Sequence, residues 1–459
     1  MYVIYRLHGE KSGKKTGKMS SIAVKDAEKI NSLVWFRNDL RIYDHSGLTH
    51  AVQNSNSVIG VYFFNPDHYK INELGFPKTD SFRAQFLIDS VKNLEKKLRE
   101  LNISLIIKIC NPKDKINSIV DDFNISRVYL QDEWTDEETK EEECLKSLKS
   151  KIDIYKYSDQ FLYHPEDVEL NKVPNIFTVF RKHCEKNLNV RSMFPKPNSM
   201  DETNLLDINF KSPSLEDLGL EYYTEDSRSA FPFRGGYDEG LKRLNHYLWE
   251  SKKVSFYKKT RNGLIGIDYS SKFSSWLSNG SLSPRIIFNE IKKYERKIEK
   301  NQSTYWMIFE LIWRDYFKYI SKIYGNSIFK IGGILEKKYE WIKDLDLFQK
   351  WIDGETNEPF VNANMIELKK TGWMSNRGRQ NVASFLSKEL FIDWRWGARY
   401  FESKLIDYDV HSNWGNWMYV SGVGNDPRDR KFNIQFQAER YDANKKFQKL
   451  WLQEKISLF

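Results

Sequence analysis

Short β-rich runs alternate with helical stretches in the first third of the chain, and this alternation limits the possible folds more than any other feature. The runs cover residues 33–36, 57–64, 103–109, 127–130 and 152–157. Between the second and third runs, apolar side chains from residue 82 to residue 101 recur at the spacing of one helical face. Because strands that alternate with helices pair in parallel, the sequence predicts a mostly parallel, doubly wound α/β sheet.

The rest of the chain has the pattern of a connector followed by helices. Prolines are frequent and apolar periodicity is poor from about residue 163 to residue 233, whereas residues 305–324 and 381–390 have a clear helical pattern. We therefore predict an N-terminal extension (1–30), an α/β domain (31–163), a linker (164–233) and an all-α domain (234–459). Neither GxGxxG nor a Walker A motif follows the first predicted strand, which excludes an ordinary dinucleotide or ATP site there.

Composition excludes several classes of protein. No apolar run approaches the roughly 20 residues of a membrane span, so we expect no membrane partner. The 3 cysteines, Cys110, Cys144 and Cys184, are far apart and form no CxxC motif. Their spacing excludes a disulfide framework, a zinc finger and a four-cysteine iron–sulfur cluster, so we expect no metal and a reducing compartment. The net charge of +9 is compatible with a nucleic-acid partner.

Residues 1–30 contain lysines among glycines and serines, without the apolar segment of a secretory signal. An organellar presequence and a flexible start, with Met19 as an alternative initiation site, both remain open. We expect a cytoplasmic protein if the source is bacterial, and otherwise a nuclear or organellar one.

The greatest density of reactive groups lies in residues 372–419, where charged and amide side chains are interleaved with indoles. The polar members are Arg377, Arg379, Asp407, Asp409 and Asn413, and the indoles are Trp373, Trp394, Trp396, Trp414 and Trp417. Charged groups are costly to bury without partners, and tryptophan is the side chain most easily oxidised by one electron. Although a single tryptophan is most often a packing residue, the grouping favours a redox-active aromatic cofactor.

Four segments of the chain together resemble one known family. They are WFRNDLRIYDH (35–45), YKKTRNGLIGIDYSSKFSSWLSNGSLSPR (257–285), FELIWRDYF (309–317) and the indole-rich segment (372–419). In this order, across both predicted domains, they resemble the photolyase/cryptochrome flavoproteins, and most closely the cryptochrome DASH branch, from residue 31 to about residue 441. The resemblance implies FAD, held in a U-shape inside the helical domain, and blue light as the energy source.

The resemblance also implies which residues hold the phosphates and adenosine of FAD. They are Tyr257, Ser270, Ser271, Lys272, Phe273 and Ser274, with Arg261 and Arg314 among the neighbouring contacts. Hydroxyls, backbone N–H groups and a cation suit a pyrophosphate. By itself, the serine run is more typical of a solvated loop or a helix N-cap.

At the isoalloxazine end, a reduced flavin is anionic and is stabilised by a guanidinium that a carboxylate holds in place. By resemblance, Arg379 and Asp407 have these roles, Asp409 contacts the polar edge of the ring, and Asn413 faces flavin N5. Plant signalling cryptochromes carry Asp at the position of Asn413, so Asn here favours repair chemistry. The alternative is that Arg379 and Asp407 form an ordinary internal ion pair.

Electrons must reach the flavin from outside, and the resemblance implies a relay of three indoles for this purpose. Trp417 would be the proximal member, Trp394 the middle one and Trp341 the distal one. Trp414 and Trp396 are further aromatics that either offer side branches or only pack.

The resemblance implies a site for a pyrimidine dimer flipped out of DNA. Glu310 and Asn376 match the dimer-binding carboxyl and amide, Trp313 matches the aromatic wall, and Arg261 and Arg377 are expected to meet phosphate.

Two further positions make the expected dimer site more polar than in bacterial dimer-repair enzymes. Gln380 replaces Met and Tyr419 replaces Trp, which favours a dimer in single-stranded or looped DNA. Repair of (6-4) lesions is not expected, because Asn376 and Gln380 stand where that chemistry needs a histidine pair.

In the α/β domain, Glu133 matches an acidic contact to a folate antenna, 5,10-methenyltetrahydrofolate. The alternative is a solvated carboxylate at a helix start beside Thr135. His411 replaces a residue that is usually small in relatives, and the sequence gives no account of it.

Three functions therefore remain in consideration. We expect a light-driven, monomeric, FAD-dependent lyase that repairs cyclobutane pyrimidine dimers, preferentially in single-stranded or looped DNA. The alternatives are a blue-light photoreceptor that signals through flavin photoreduction, and a DNA- or RNA-binding flavoprotein with little repair activity.

Overall fold

The computed structural model describes residues 30–148, 152–207, 211–426 and 428–456. Nearly all of the predicted N-terminal extension therefore lies outside the described residues.

The N-terminal part is built on a five-stranded parallel sheet. The strands are β1 (Asn31–Trp35), β2 (Ser57–Phe64), β3 (Leu105–Ile109), β4 (Arg127–Gln131) and β5 (Asp153–Tyr157), in the order β3-β2-β1-β4-β5. Each strand falls on one of the five predicted runs, and the prediction of a doubly wound parallel sheet is confirmed. The order reverses at β1, so a crevice opens at the carboxyl ends of β1 and β4.

Helices cover both faces of this sheet. They are α1 (Ser46–Gln53), α2 (Ser81–Arg99), α3 (Ile116–Asp122) and α4 (Asp136–Glu142). In β1, Val34 belongs to the apolar core on one face while Leu33 and Trp35 belong to the core on the other. Because both faces are buried, the strand is apolar at successive positions rather than at alternate ones.

The connector contains one α-helix, α5 (Phe177–Asn187), together with short 3-10 turns among its described residues. Asp159, just after β5, shares a buried network with Asp44 and Arg285. The Arg285 Nη2 atom lies 2.8 Å from a carboxylate oxygen of each aspartate. This network ties the sheet to the helical part, where Arg285 follows the N-cap Ser283.

The remainder is helical. Its α-helices are α6 (Tyr237–Asn245), α7 (Tyr257–Thr260), α8 (Ser274–Ser278), α9 (Pro284–Lys297), α10 (Gln302–Tyr324), α11 (Leu345–Asp353), α12 (Pro359–Thr371), α13 (Asn376–Lys388), α14 (Trp394–Lys404), α15 (Val410–Ser421), α16 (Ile434–Tyr441) and α17 (Lys446–Ile456). The predicted helical segments 305–324 and 381–390 fall on α10 and on the end of α13. A capping box between Asn301 and Thr304 sets the start of α10. Among the described residues, no helix combines the length and apolar character that crossing a bilayer would require.

Candidate functional site

Two adjoining cavities lie among α10, α13, α15 and the segment that joins α7 to α8. Their volumes are about 260 and 90 Å³. Both are lined by Asn376, Arg379, Asp407 and Asp409, so they are neighbours that share a wall, and they are called the larger and the smaller lobe below. Residues that are more than 100 positions apart in sequence meet here.

A buried cation without a hydrogen-bond partner faces the larger lobe. Lys272 is 2% exposed, and its Nζ atom has no hydrogen-bond partner among the described residues. The Nζ atom lies 3.2 Å from the ring centroid of Tyr269 and 4.7 Å from that of Trp373. Burial lowers the pKa of Lys272 well below its ordinary value. Because an unpaired ammonium is costly to bury, an anion in this lobe would stabilise its charged form.

The surroundings of Lys272 suit a phosphate. Ser270, Ser271, Phe273 and Ser274 line the same lobe, as does Tyr257. Hydroxyl donors beside an unsatisfied cation match the chemistry of the FAD pyrophosphate. The residues present therefore fit the phosphate end of FAD.

An ion pair forms another part of the wall. Arg379 Nη2 lies 2.9 and 3.0 Å from the two carboxylate oxygens of Asp407, and Arg379 Nε donates to the Met374 carbonyl oxygen at 3.0 Å. The Ser274 hydroxyl donates to Asp407 Oδ2 at 2.7 Å. The guanidinium is thus fixed at the cavity surface, where it can stabilise negative charge on a bound ligand.

A second carboxylate, Asp409, is held ionised nearby. It caps the N-terminus of α15 by accepting from the Ser412 N–H at 2.8 Å. Lys318 Nζ lies 3.4 Å and Arg314 Nη2 lies 3.9 Å from Asp409 Oδ2. Burial opposes ionisation, but these two cations hold the pKa of Asp409 well below its usual range.

The smaller lobe ends at an amide and an indole. Asn413 Nδ2 donates to the Ala398 carbonyl oxygen at 3.0 Å, which fixes the orientation of the side chain. Asn413 and Trp417 both line this lobe. Trp417 packs over Gly397, where an added Cβ would lie 2.2 Å from indole Cη2. Gly397 therefore allows α14 and α15 to approach closely around Trp417.

The expected dimer-binding residues line the larger lobe. Arg261 Nη1 lies 2.5 Å from Glu310 Oε1, and Asn376 is exposed at the edge of the cavity. Burial raises the pKa of Glu310 although Arg261 opposes the shift. Trp313 lines the lobe as well. Its ring stacks on Phe177 with centroids 3.5 Å apart, so α5 of the connector covers one indole face.

The remaining expected nucleic-acid contacts have protein partners of their own. Arg377 donates to Gln380 Oε1 at 2.9 Å and to Asn262 Oδ1 at 3.2 Å, so its guanidinium is already oriented. Gln380 lines the smaller lobe. Tyr419 lies edge-on to Trp313 at 6.2 Å, although 106 positions separate them (419 − 313). The structure thus brings together two aromatic residues that the sequence analysis assigned separately to the dimer site.

The three indoles of the expected relay lie among other aromatic rings. Trp417 packs edge-on against Phe401 at 5.1 Å, and Trp394 packs edge-on against Trp414 at 5.7 Å. Trp341 is partly exposed. It directly precedes Ile342, whose backbone N–H donates at 2.8 Å to the carbonyl oxygen of Phe391, shortly before α14. Trp414 therefore lies beside the middle indole, as a side branch would require.

Glu133 lies in a different cavity, of about 150 Å³, at the crevice between β1 and β4. It accepts from Gln131 Nε2 at 2.7 Å, and burial raises the pKa of Glu133 to about 7 against the opposing effect of Lys318 and Arg37. Since Glu133 is 5% exposed, the alternative of a solvated helix-start carboxylate does not describe its position. Arg314 and Asp409 line both this cavity and the larger lobe.

The structure gives His411 a packing role. Its ring stacks on Trp134 with centroids 4.6 Å apart, and its Nδ1 atom lies 2.6 Å from the Ser321 hydroxyl oxygen. Burial lowers the pKa of His411 well below its ordinary value, so the ring is neutral. His411 thus joins α15 to the α/β domain at the Glu133 cavity.

Sequence reasoning missed residues whose role depends on long-range packing. Phe177 lies within the predicted linker, yet it covers Trp313. Lys318 pairs with Asp409, and its spacing of four from Arg314 on α10 was a usable signal, since residues four apart share a helix face. Glu367 is buried near Lys272, and burial raises its pKa to about 8.

Comparisons with known proteins bear on the fold and the cofactor. Residues 32–198 match the family model described as DNA photolyase, and residues 306–458 match the one described as FAD binding domain of DNA photolyase. Proteins named Cryptochrome DASH from Gloeobacter violaceus and Danio rerio are each 44% identical. The matches cover 93% and 91% of this chain and 86% and 82% of those proteins, respectively. The crystal structure of a Synechocystis sp. cryptochrome is 43% identical with a TM-score of 0.89, and the match covers 93% of this chain and 90% of that one.

Proposed function

Since this chain belongs to the photolyase/cryptochrome family and is most like its cryptochrome DASH members, we propose that it repairs cyclobutane pyrimidine dimers with light, preferentially in single-stranded or looped DNA. Its FAD-binding domain is the photolyase type. When bound, FAD supplies absorption of blue light and a one-electron donor. The observation that carries the proposal is the presence of Glu310, Asn376 and Trp313 in the same cavity as Arg379 and Asp407.

In this proposal the flavin is held by groups at opposite ends of the cavity. Lys272 and the serines around it would hold the pyrophosphate, because Lys272 is a cation without a hydrogen-bond partner among the described residues and Ser270 and Ser271 line the same lobe. Arg379, positioned by Asp407, would stabilise negative charge at the ring. Asp409 and Asn413 would hold the polar edge of the ring system.

Glu310 would act on the dimer as a hydrogen-bond donor. Burial raises its pKa, which favours the protonated carboxyl that can donate to a base carbonyl. Such a donor stabilises negative charge that develops on the dimer after it gains an electron. Asn376, exposed at the cavity edge, would supply a second polar contact.

The preference for single strands follows from how little aromatic surface the site offers. One face of Trp313 is covered by Phe177, and Tyr419 meets Trp313 only edge-on. Stacking contributes about 1–3 kcal/mol per base, while flipping from a duplex costs a few kcal/mol. A site with so little free aromatic surface recovers less of the cost of flipping, and that cost is smallest in an unpaired strand.

Repair is tested by illuminating the FAD-loaded, chemically reduced protein with single- and double-stranded oligonucleotides that carry one thymine dimer. We expect restored thymines in the single strand and few in the duplex. Glu310→Ala, which removes the hydrogen-bonding group, should lower the repair yield while flavin content is kept, whereas Glu439→Ala, at an exposed position on α16, should change neither. Absence of repair in both substrates would refute the proposal.

A photoreceptor function is the second candidate, favoured by the partial exposure of Trp341 at the outer end of the proposed relay Trp417–Trp394–Trp341. In that case, illumination of oxidised protein would reduce the flavin and change binding to a partner without any repair. The repair assay separates the two functions, because only a lyase restores thymines.

The Glu133 cavity is proposed to hold a folate antenna, with the Glu133 carboxyl and Gln131 amide facing the ligand. Reconstitution with 5,10-methenyltetrahydrofolate should give energy transfer to the flavin, measured as quenching of folate fluorescence. Glu133→Leu should weaken binding of the folate, and unchanged binding would contradict this assignment.

A further inference from the structure

We propose that Tyr339 is the terminal electron donor of the indole relay and that Asp429 accepts its proton. This inference rests on the relay in the proposed function and adds a step beyond its distal indole. It starts from two contacts. The rings of Tyr339 and Trp341 lie edge to face with centroids 5.5 Å apart, and the Tyr339 hydroxyl donates to Asp429 Oδ2 at 2.8 Å.

Asp429 is suited to accept a proton. Lys388 Nζ lies 2.5 Å from its Oδ1 atom. Burial opposes ionisation, yet Lys388 and the Tyr339 hydroxyl hold the pKa of Asp429 below its usual range. The carboxylate is therefore ionised at neutral pH, and because Asp429 is exposed it can exchange the proton with water.

Trp341 lacks such an acceptor. Its indole N–H is buried and has no hydrogen-bond partner among the described residues. A Trp341 cation radical therefore keeps its proton and its oxidising strength. The neighbouring phenol can lose an electron and a proton together, so the oxidised state passes to Tyr339.

Each transfer in the proposed sequence conserves atoms and electrons. With FAD bound as the light-driven electron acceptor, Trp417 would be oxidised first, Trp394 would then reduce Trp417, and Trp341 would reduce Trp394. Tyr339 then gives one electron to Trp341 and its phenolic proton to Asp429. Trp341 is restored, Tyr339 becomes a neutral radical and Asp429 becomes a neutral carboxylic acid. A thiolate in solution returns one electron to Tyr339, which takes its proton back from Asp429.

Separating the charges in this way should prolong the reduced state of the flavin. The electron lies in the helical core while the oxidised group lies at a partly exposed tyrosine. Loss of the phenolic proton also makes return of the electron slower, since the proton must return with it. Tyr339 would thus set the lifetime of the photoproduct on which either candidate function depends.

The test is flash excitation of the full, FAD-loaded, oxidised chain, followed by time-resolved absorption and electron paramagnetic resonance with ring-deuterated tyrosine. The wild type should give a neutral tyrosyl signal. Tyr339→Phe should lose it and leave a longer-lived indole radical. Asp429→Asn should slow tyrosyl formation by about 100-fold, the scale of a positioned proton acceptor. Circular dichroism and flavin content check that both variants are folded.

Tyr305→Phe is the matched control. Its hydroxyl also donates to a carboxylate, Glu185 Oε1 at 2.7 Å, but its ring contacts Phe309 rather than an indole of the relay. A tyrosyl signal that persists in Tyr339→Phe, or that disappears in Tyr305→Phe, would overturn the inference.

The same measurements distinguish failure of the repair function, of the Tyr339 step and of the indole relay. Failure of dimer repair with an intact tyrosyl signal would refute the repair function and leave Tyr339 as the donor. Normal indole radicals without any tyrosyl radical would refute the Tyr339 step alone. Unchanged flavin photoreduction in Trp417→Phe would refute the relay and, with it, this step.

Discussion

Replacing Lys272 by Met should weaken FAD binding and, at the same time, slightly stabilise the protein without FAD. In the structure the ammonium is 2% exposed and lacks a hydrogen-bond partner among the described residues. Met keeps a similar unbranched shape, so the substitution removes the charge with little change in packing. Lys272 has a φ of +66°, and this strain is similar for either side chain.

The size of each effect follows from the contacts. A buried polar group left unsatisfied costs about 1–3 kcal/mol, and the Tyr269 ring 3.2 Å below Nζ recovers roughly 0.5–2 kcal/mol of this through a cation–π contact. The protein without FAD should therefore gain about 1 kcal/mol. With FAD bound, loss of a charge-assisted hydrogen bond to phosphate costs about 1.5–3 kcal/mol, a roughly 10- to 150-fold rise in Kd.

The assay combines fluorescence titration of FAD with urea denaturation of the FAD-free protein. Lys259→Met, at an exposed position on α7, is the control and should change neither quantity. FAD affinity equal to that of the wild type would refute the assignment of Lys272 to the pyrophosphate. Destabilisation of the FAD-free protein would show instead that Lys272 has a structural partner.

Three further outcomes are expected. Gly397→Ala should destabilise the protein by about 1–3 kcal/mol in urea denaturation, because the added Cβ would lie 2.2 Å from Trp417; a neutral result would contradict the close packing. Trp417→Phe should abolish flavin photoreduction, followed by absorption under blue light, yet spare repair by chemically reduced protein. Asp409→Asn should lower the free energy of unfolding by about 3–5 kcal/mol at neutral pH, since Lys318 loses its buried partner. The folded pKa of Asp409 lies below the unfolded value of roughly 3.9, so the stabilisation is present above that pH and is lost as the pH falls through the folded pKa. The free energies of unfolding of the wild type and the Asp409→Asn variant should therefore converge as the pH is lowered. A difference that stays constant with pH would argue against the ion pair.

The sequence predicted the sheet well because strand and helix periodicity are local properties. All five β-rich runs became strands of one parallel sheet, and the predicted helix between residues 80 and 101 is α2. The resemblance to a known family predicted site residues from several distant segments, and Lys272, Glu310 and Arg379 line one cavity. It did not reveal that Phe177 of the linker covers Trp313, because that contact joins elements 136 residues apart (313 − 177).

Periodicity and motif order by themselves determined the fold class, the helical site region and the expectation of FAD. All three depend on patterns within short stretches of residues. Only the tertiary structure decided the chemical state of each side chain. Asp409 and Glu310 are both carboxyl groups among cations, yet the pKa of the first is lowered and that of the second is raised. The difference lies in how many cations and hydrogen-bond donors each one meets, and those contacts exist only after distant segments have packed together.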